Sequence, residues 1–335
     1  MRFIRMAALL STITAAPAMA DQVNIYSFRQ PFLIEPILAE FTKETGIKTK
    51  VVFSKKGLIQ RLQREGELSP ADLVLTSNFS KLLELKDKQL TQPYALTDTL
   101  EANVPAKFRD NENQWIALTQ RVRNVYSSKE RAGDQSNIRY EDLADEKFKG
   151  KVCTRSGKHP YNLGLIASMI AHHGEAETEQ WLRGVKANLA RKPQGNDRAQ
   201  VKAIKEGLCD VSLGNSYYLG KMLKDENQIA WANAVNLNFP NQQDRGSHVN
   251  VSGAVLTRHA PNKDAAEKLL AFLTSDKAQQ MYAEVNFEYP VKPGAQASEL
   301  VQSWGEFKAD ALPLTEIANN RKAALKLVDK VGFDL

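Results

Sequence analysis

The sequence predicts an α/β protein of two lobes, each a mixed sheet flanked by helices, joined by strands that cross between them. Three observations carry this expectation. Short β-rich apolar runs alternate with amphipathic helical runs from Val23 onward. Two longer extended runs, Trp115 to Tyr126 and Asn250 to Leu256, stand where a chain would leave one lobe and later return to it. The chain has 335 residues, enough for two separate cores.

The elements follow in order. Arg2 and Arg5, the short apolar stretch Ala7 to Ala15 and the A-x-A pattern Ala18-Met19-Ala20 read as a secretory signal cut after Ala20. That stretch is too short to span a bilayer, and no later run is long and apolar enough to do so. The expectation is therefore a soluble, exported chain. A bacterial periplasm is the natural compartment, although an extracellular protein would carry the same signal. A strand is expected at Val23 to Ser27. A helix follows, with Ile34, Ile37, Leu38 and Phe41 on one face and Gly46 after its end. Next come a strand at Lys50 to Phe53, a helix around Leu58 to Arg64 and a strand at Asp72 to Thr76. After the first crossing come a strand at Val152, a helix from about Asn162 to His172, a helix carrying Val201, Ile204 and Leu208, and a strand at Val211. Helices at Ala265 to Leu273 and Asp276 to Val285 return to the first lobe, and a last helix is expected around Leu314 to Val331. The expected divisions are residues 1–20 for the signal, 21–120 for the first lobe, 121–250 for the second, 251–300 for the return, and 301–335 for the C-terminal helices.

Composition narrows the function. There are 45 Lys+Arg and 39 Asp+Glu, a formal charge of +6, which falls to +4 once Arg2 and Arg5 leave with the signal. The excess is mild and spread out, which gives nucleic-acid binding little support but suits an anionic ligand or surface. The two cysteines, Cys153 and Cys209, lie in strand-like runs. In an oxidising compartment an even pair suggests one disulfide; two buried thiols are the alternative. No Gly-x-Ser-x-Gly elbow, P-loop or His-Glu-x-x-His helix occurs, so the chain is expected not to be an enzyme. A secreted hydrolase whose residues assemble only in space is the reading from that other class.

The most informative run is Leu213-Gly214-Asn215-Ser216-Tyr217-Tyr218, a short apolar strand followed by two tyrosines at the start of a helix. In α/β proteins ligands bind where strands end and helices begin. Two phenols there, with Tyr161 as a third, offer hard anionic oxygens to a hard trivalent cation such as Fe³⁺. The plain alternative is that neighbouring tyrosines pack with wet hydroxyls. Other polar residues read more simply. His172-His173 before Gly174 suits a helix C-terminus. His159 is a loop histidine or a neighbour supporting Tyr161. Tyr26 faces either cleft or core, and Tyr126 packs along the crossing strand. Glu288 reads as a wet rim group in a loop. Asn196 or Asp197 stands near a helix N-cap in the basic run Arg191 to Arg198.

The motifs Tyr26-Ser27-Phe28-Arg29-Gln30, Tyr140-Glu141-Asp142-Leu143-Ala144, Lys151-Val152-Cys153-Thr154-Arg155-Ser156, Pro160-Tyr161-Asn162 and Gly214-Asn215-Ser216-Tyr217-Tyr218 occur in this order over nearly the whole mature chain. Together they resemble the periplasmic ferric-ion-binding components of ABC-type iron importers, in the iron-deficiency-induced group. The resemblance implies a type II periplasmic-binding-protein fold and an inner-membrane ABC permease as partner, and the chain is expected to be a monomer. It implies Tyr161, Tyr217 and Tyr218 as ferric ligands, and Arg121 as the holder of a carbonate-like synergistic anion. One departure stands out: where many relatives carry His-Tyr after the first strand, this chain has Gln30 and Pro31. The first lobe is then expected to contribute Arg29 and Gln30 to the opposing cleft wall without a strong metal ligand. The alternative within the same fold is a solute-binding protein for another anion or metal complex.

Overall fold

The computed structural model describes residues 22–335, so the expected signal segment and its cleavage point lie outside the described residues. Ten strands are present among the described residues: β1 (Gln22–Ser27), β2 (Lys48–Phe53), β3 (Leu73–Thr76), β4 (Thr91–Gln92), β5 (Ile116–Ser128), β6 (Val152–Cys153), β7 (Val211–Asn215), β8 (Val235–Asn238), β9 (Val249–Thr257) and β10 (Tyr289–Pro290). Their main order is β2-β1-β3-β9-β5-β7-β6. The first three are parallel, with Ile25 beside both Val51 and Leu73. This is the sheet that the alternation of strands and helices predicts.

The intervening helices bury the expected faces. The helix Pro31–Thr45 starts on a proline, whose missing N–H costs nothing there, and buries Ile34, Ile37, Leu38 and Phe41. The helices Lys263–Leu273 and Asp276–Asn286 pack against it, returning the chain to the first lobe.

β5 is what joins the lobes. Its first half pairs with β9 through Val122, and from Arg123 onward it pairs with β7 and then β8. β9 runs back antiparallel to both β5 and β3. Alternation along a strand puts Thr119, Arg121 and Arg123 on one face at the point of crossing. All three are buried.

In the second lobe a long helical segment, Pro160–Ala187, is kinked at Gly174, which sits at φ 78°. Such a φ strains any residue with a Cβ, and the expected helix end before Gly174 falls at this kink. The helix of the basic run covers Asp197–Lys205 and buries Val201 and Ile204. Leu208, expected on the same face, lies beyond its end and is half exposed. The single C-terminal helix expected is two, Leu314–Asn319 and Arg321–Val331, both packed on Pro160–Ala187.

Cys153 on β6 and Cys209, which precedes β7 rather than lying in it, form a disulfide with Cα atoms 5.9 Å apart. Closing that 56-residue separation is worth about 4 kcal/mol of chain entropy. No helix among the described residues is long and apolar enough to cross a membrane.

Candidate metal site

Local chemistry sets each tyrosine at a helix start. Pro160 opens its helix, and the N-cap His159 accepts the Tyr161 backbone N–H on Nδ1 at 3.2 Å. Tyr217 and Tyr218 are the first residues of the helix Tyr217–Leu223, one residue after β7 ends. The topology brings them together. The Tyr161 and Tyr217 hydroxyls are 3.3 Å apart, and the Tyr217 and Tyr218 rings lie with centroids 4.3 Å apart at 36°. Tyr217 is buried, while Tyr161 and Tyr218 are intermediate.

Burial, followed by the neighbouring Tyr161 and Tyr218, pushes the Tyr217 phenol well above its ordinary range, and Arg121 only partly opposes this. Burial, with Tyr161 and then Asp197, pushes Tyr218 up to about 12. Both phenols keep their protons at neutral pH in the metal-free protein, so a cation must displace protons to bind them. The His159 ring stands edge-on to Tyr161, centroids 4.6 Å apart. Burial and then Arg155 lower its pKa to about 3, which keeps it neutral and leaves Nδ1 free to accept.

Three guanidinium groups lie beside the phenols. Arg121 lies 5.9 Å from the centroids of both Tyr161 and Tyr217, Arg155 5.3 Å from Tyr161, and Arg123 6.0 Å from it. Two buried carboxylates, Asp197 and Glu288, answer these charges, a role that no local sequence pattern marks. Asp197 accepts from Arg123 at 2.6 Å, from Arg155 at 3.0 Å and from the Asn215 backbone N–H at 3.0 Å. Arg123 also donates to Asn162, beside Tyr161, and to Asn215, two residues before Tyr217. One network thus ties together both segments that carry the tyrosines. Its only sequence signal was the N-cap, which Asn196 makes by accepting from the Ala199 N–H at 3.1 Å.

Glu288 is the second carboxylate, and the expectation of a wet rim loop is wrong for it. It is 5 % exposed and accepts from Arg29 at 3.0 Å, from Arg121 at 3.4 Å and from the Thr119 hydroxyl at 2.6 Å. Two-residue pairing of β10 with Thr119 and Gln120 holds it there. Burial raises its pKa, but Arg29, Arg121 and the Thr119 hydroxyl act against burial and leave it below the usual range, so it is ionised. Both arginines keep buried nitrogens without a partner: Nε and Nη1 of Arg29, Nε and Nη2 of Arg121.

The remaining residues resolve simply. Gln30 is the N-cap of Pro31–Thr45, half buried, with no side-chain capping bond. Tyr26 faces the core side and donates to Glu65 at 2.8 Å; Tyr126 donates to the Asn215 carbonyl at 2.8 Å. His172 pairs with Asp310 and His173 with Glu141, away from the tyrosines. Among the described residues no group of three or more His, Cys, Asp or Glu side chains is arranged to hold a metal ion. The clustered hard donors are therefore phenols.

Comparison with known proteins gives a consistent picture. A family model described as bacterial extracellular solute-binding protein matches residues 68–308. Iron uptake protein A1 of Synechocystis sp. (strain ATCC 27184 / PCC 6803 / Kazusa) is 38% identical over 324 residues, covering 96% of this chain and 90% of that protein. Among solved structures, ferric iron-binding protein A of Mannheimia haemolytica in an open conformation is 54% identical with a TM-score of 0.90, covering 94% of this chain and 100% of that one. The Trichodesmium protein (IdiA, FutA) in complex with iron and citrate is 38% identical with a TM-score of 0.89, covering 93% and 99%.

Proposed function

The chain belongs to the bacterial extracellular solute-binding protein family and has the type II periplasmic-binding-protein fold, and from that premise we propose that it captures ferric iron in the periplasm and delivers it to an ABC permease. Tyr161, Tyr217 and Tyr218 are the proposed ligands, and the lobes are taken to divide near residues 120 and 250, where β5 and β9 cross. The observation that carries this reading is the 3.3 Å approach of the Tyr161 and Tyr217 hydroxyls, with Tyr218 stacked beside them. The names of the relatives, an iron uptake protein and ferric-binding proteins, support the choice of metal.

The chemistry is that of a hard cation with hard donors. Three phenolates balance the charge of Fe³⁺, and the metal's own charge favours the ionised ligand despite the raised phenol pKa values. Protons compete with the metal, so affinity falls with acidity. Reduction to Fe²⁺ removes one charge and weakens an all-oxygen site. Arg121, with Arg29 behind it, supplies donors to a small oxyanion bound with the metal, because a planar fork suits a planar anion.

Metal analysis and a visible spectrum of protein purified from iron-replete culture test the reading. Bound iron with a phenolate-to-iron charge-transfer band is expected; colourless, iron-free protein would overturn it. For the anion, wild-type protein should retain iron better with added carbonate, and Arg121→Ala equally well with or without it. A mutant that responds to carbonate like the wild type would remove Arg121 from this role. A second reading, capture of a free anion by the same cleft, draws on the unpartnered nitrogens of Arg29 and Arg121. Ligand uptake without any visible band would favour it.

A further inference from the structure

Glu288 sits between two buried arginines that both donate to it. Arg29 and Arg121 are both almost wholly buried, and each gives one nitrogen to this carboxylate. Thr119 adds a hydroxyl to it, and Ser252 stands within hydrogen-bond reach of Thr119 in turn. Two guanidinium charges meet a single carboxylate, which leaves one positive charge and four buried nitrogens without acceptors. Unpaired buried donors favour any acceptor that can reach them. The grip is also uneven. The Arg29 contact is 3.0 Å, whereas the Arg121 contact is 3.4 Å, at the long end for a charged pair. Arg121 is also the arginine nearer the phenols, with its guanidinium carbon 5.9 Å from the Tyr217 ring.

We infer that Glu288 is an internal stand-in for the anion, which keeps Arg29 and Arg121 from capturing a small oxyanion until a bound metal offers that anion a further partner. Offsetting one of the two guanidinium charges with a carboxylate shared by both weakens the pull on a free anion. It leaves enough residual charge for an anion to join once a trivalent cation is present. Glu288 thereby sets the order of binding, metal before anion, and limits premature loading by the phosphate and carbonate of the surroundings. The inference rests on Arg121 as the anion holder and not on the identity of the metal.

The test uses metal-free, full-length mature protein and inorganic phosphate, followed by calorimetry and by the rise in melting temperature that a bound ligand produces. Glu288→Gln keeps the shape and removes the charge. It should bind phosphate at least tenfold more tightly than wild type and show the larger thermal shift. Glu288→Asp retains the charge but withdraws it by one methylene, which releases the long Arg121 contact first; it should bind about threefold more tightly, the lesser gain expected for a charge still close by. If Glu288→Gln does not fold, Glu288→Asp decides. Phosphate affinity no greater than that of wild type in the folded variants, or no binding in any of them, would overturn the inference. Because no iron is present, this outcome is independent of iron capture, which the visible spectrum tests separately.

Discussion

Asp197 has no solvent exposure and answers two guanidinium groups, Arg123 and Arg155. A buried carboxylate in such a network contributes little net stability over an apolar core, but removing it strands its partners. Asp197→Asn is therefore expected to lower unfolding free energy by about 3 kcal/mol or more. It should also loosen the Asn162 and Asn215 anchors beside the tyrosines. Urea unfolding measures the first effect, and a loss below about 1 kcal/mol would show that the network is not held by this charge. The phenols make a second statement at this scale. Tyr26 and Tyr218 are pushed up to about 12, Tyr26 by burial and then Glu65, Tyr218 by burial and then Tyr161. An unfolded tyrosine ionises near pH 10. Between about pH 10 and 12 the unfolded chain sheds protons that the folded chain keeps, so stability falls as pH rises through that window. Melting temperatures of metal-free protein should decline from pH 9 to 11; a flat profile would contradict the burial assigned to these rings. The tyrosine pair was legible in the sequence because two adjacent phenols followed a short strand. Glu288 and Asp197 were not, since their partners lie 167 and 74 residues away in Arg121 and Arg123. Nothing local marks such a pairing.

Among the elements, β5 does the most. It is a single strand of 13 residues that serves both sheets, and its alternation delivers Thr119, Arg121 and Arg123 to one face. The alternation of strands and helices made this crossing legible from its length and apolar content. The ends of elements were less so. Gly207, at φ 77°, ends the helix before Leu208, and the final helix divides at Asn320, where periodicity continues but the hydrogen bonds do not. The contact between Gly220 and Phe287 gives a prediction at this scale. Gly220 belongs to the helix that begins with the tyrosine pair, and Phe287 caps the helix Asp276–Asn286 in a left-handed conformation, φ 57°. A Cβ on Gly220 would clash with the Phe287 ring. Gly220→Ala should force these two helices apart, at a cost of about 1–3 kcal/mol for overpacking, and should weaken iron retention. Thermal melts and iron retention together check it. An alanine variant indistinguishable from wild type in both would mean the two helices are free to separate without consequence.

For the whole molecule, the division of labour follows from chain topology. The second lobe brings the Tyr161 and Tyr217 hydroxyls within 3.3 Å of each other and sets the Tyr218 ring beside that of Tyr217, and the crossing strand places the buried Arg121 and Arg123 beside them. The first lobe contributes Arg29, and the returning segment contributes Glu288, which links Arg29 to Arg121. The fold itself was legible because local propensity, apolar periodicity and turn residues agree along most of the chain. The charge arrangement around the phenols depends on which residues the fold brings together, and it became visible only in three dimensions. Ferric titration of wild type and of Tyr161→Phe, Tyr217→Phe and Tyr218→Phe, followed in the visible range, tests the central claim most directly. Each variant should stay folded, lose or weaken the charge-transfer band and bind iron at least about tenfold less tightly, a difference of about 1.4 kcal/mol. Spectra and titration curves in Tyr217→Phe and Tyr218→Phe that match the wild type would contradict it.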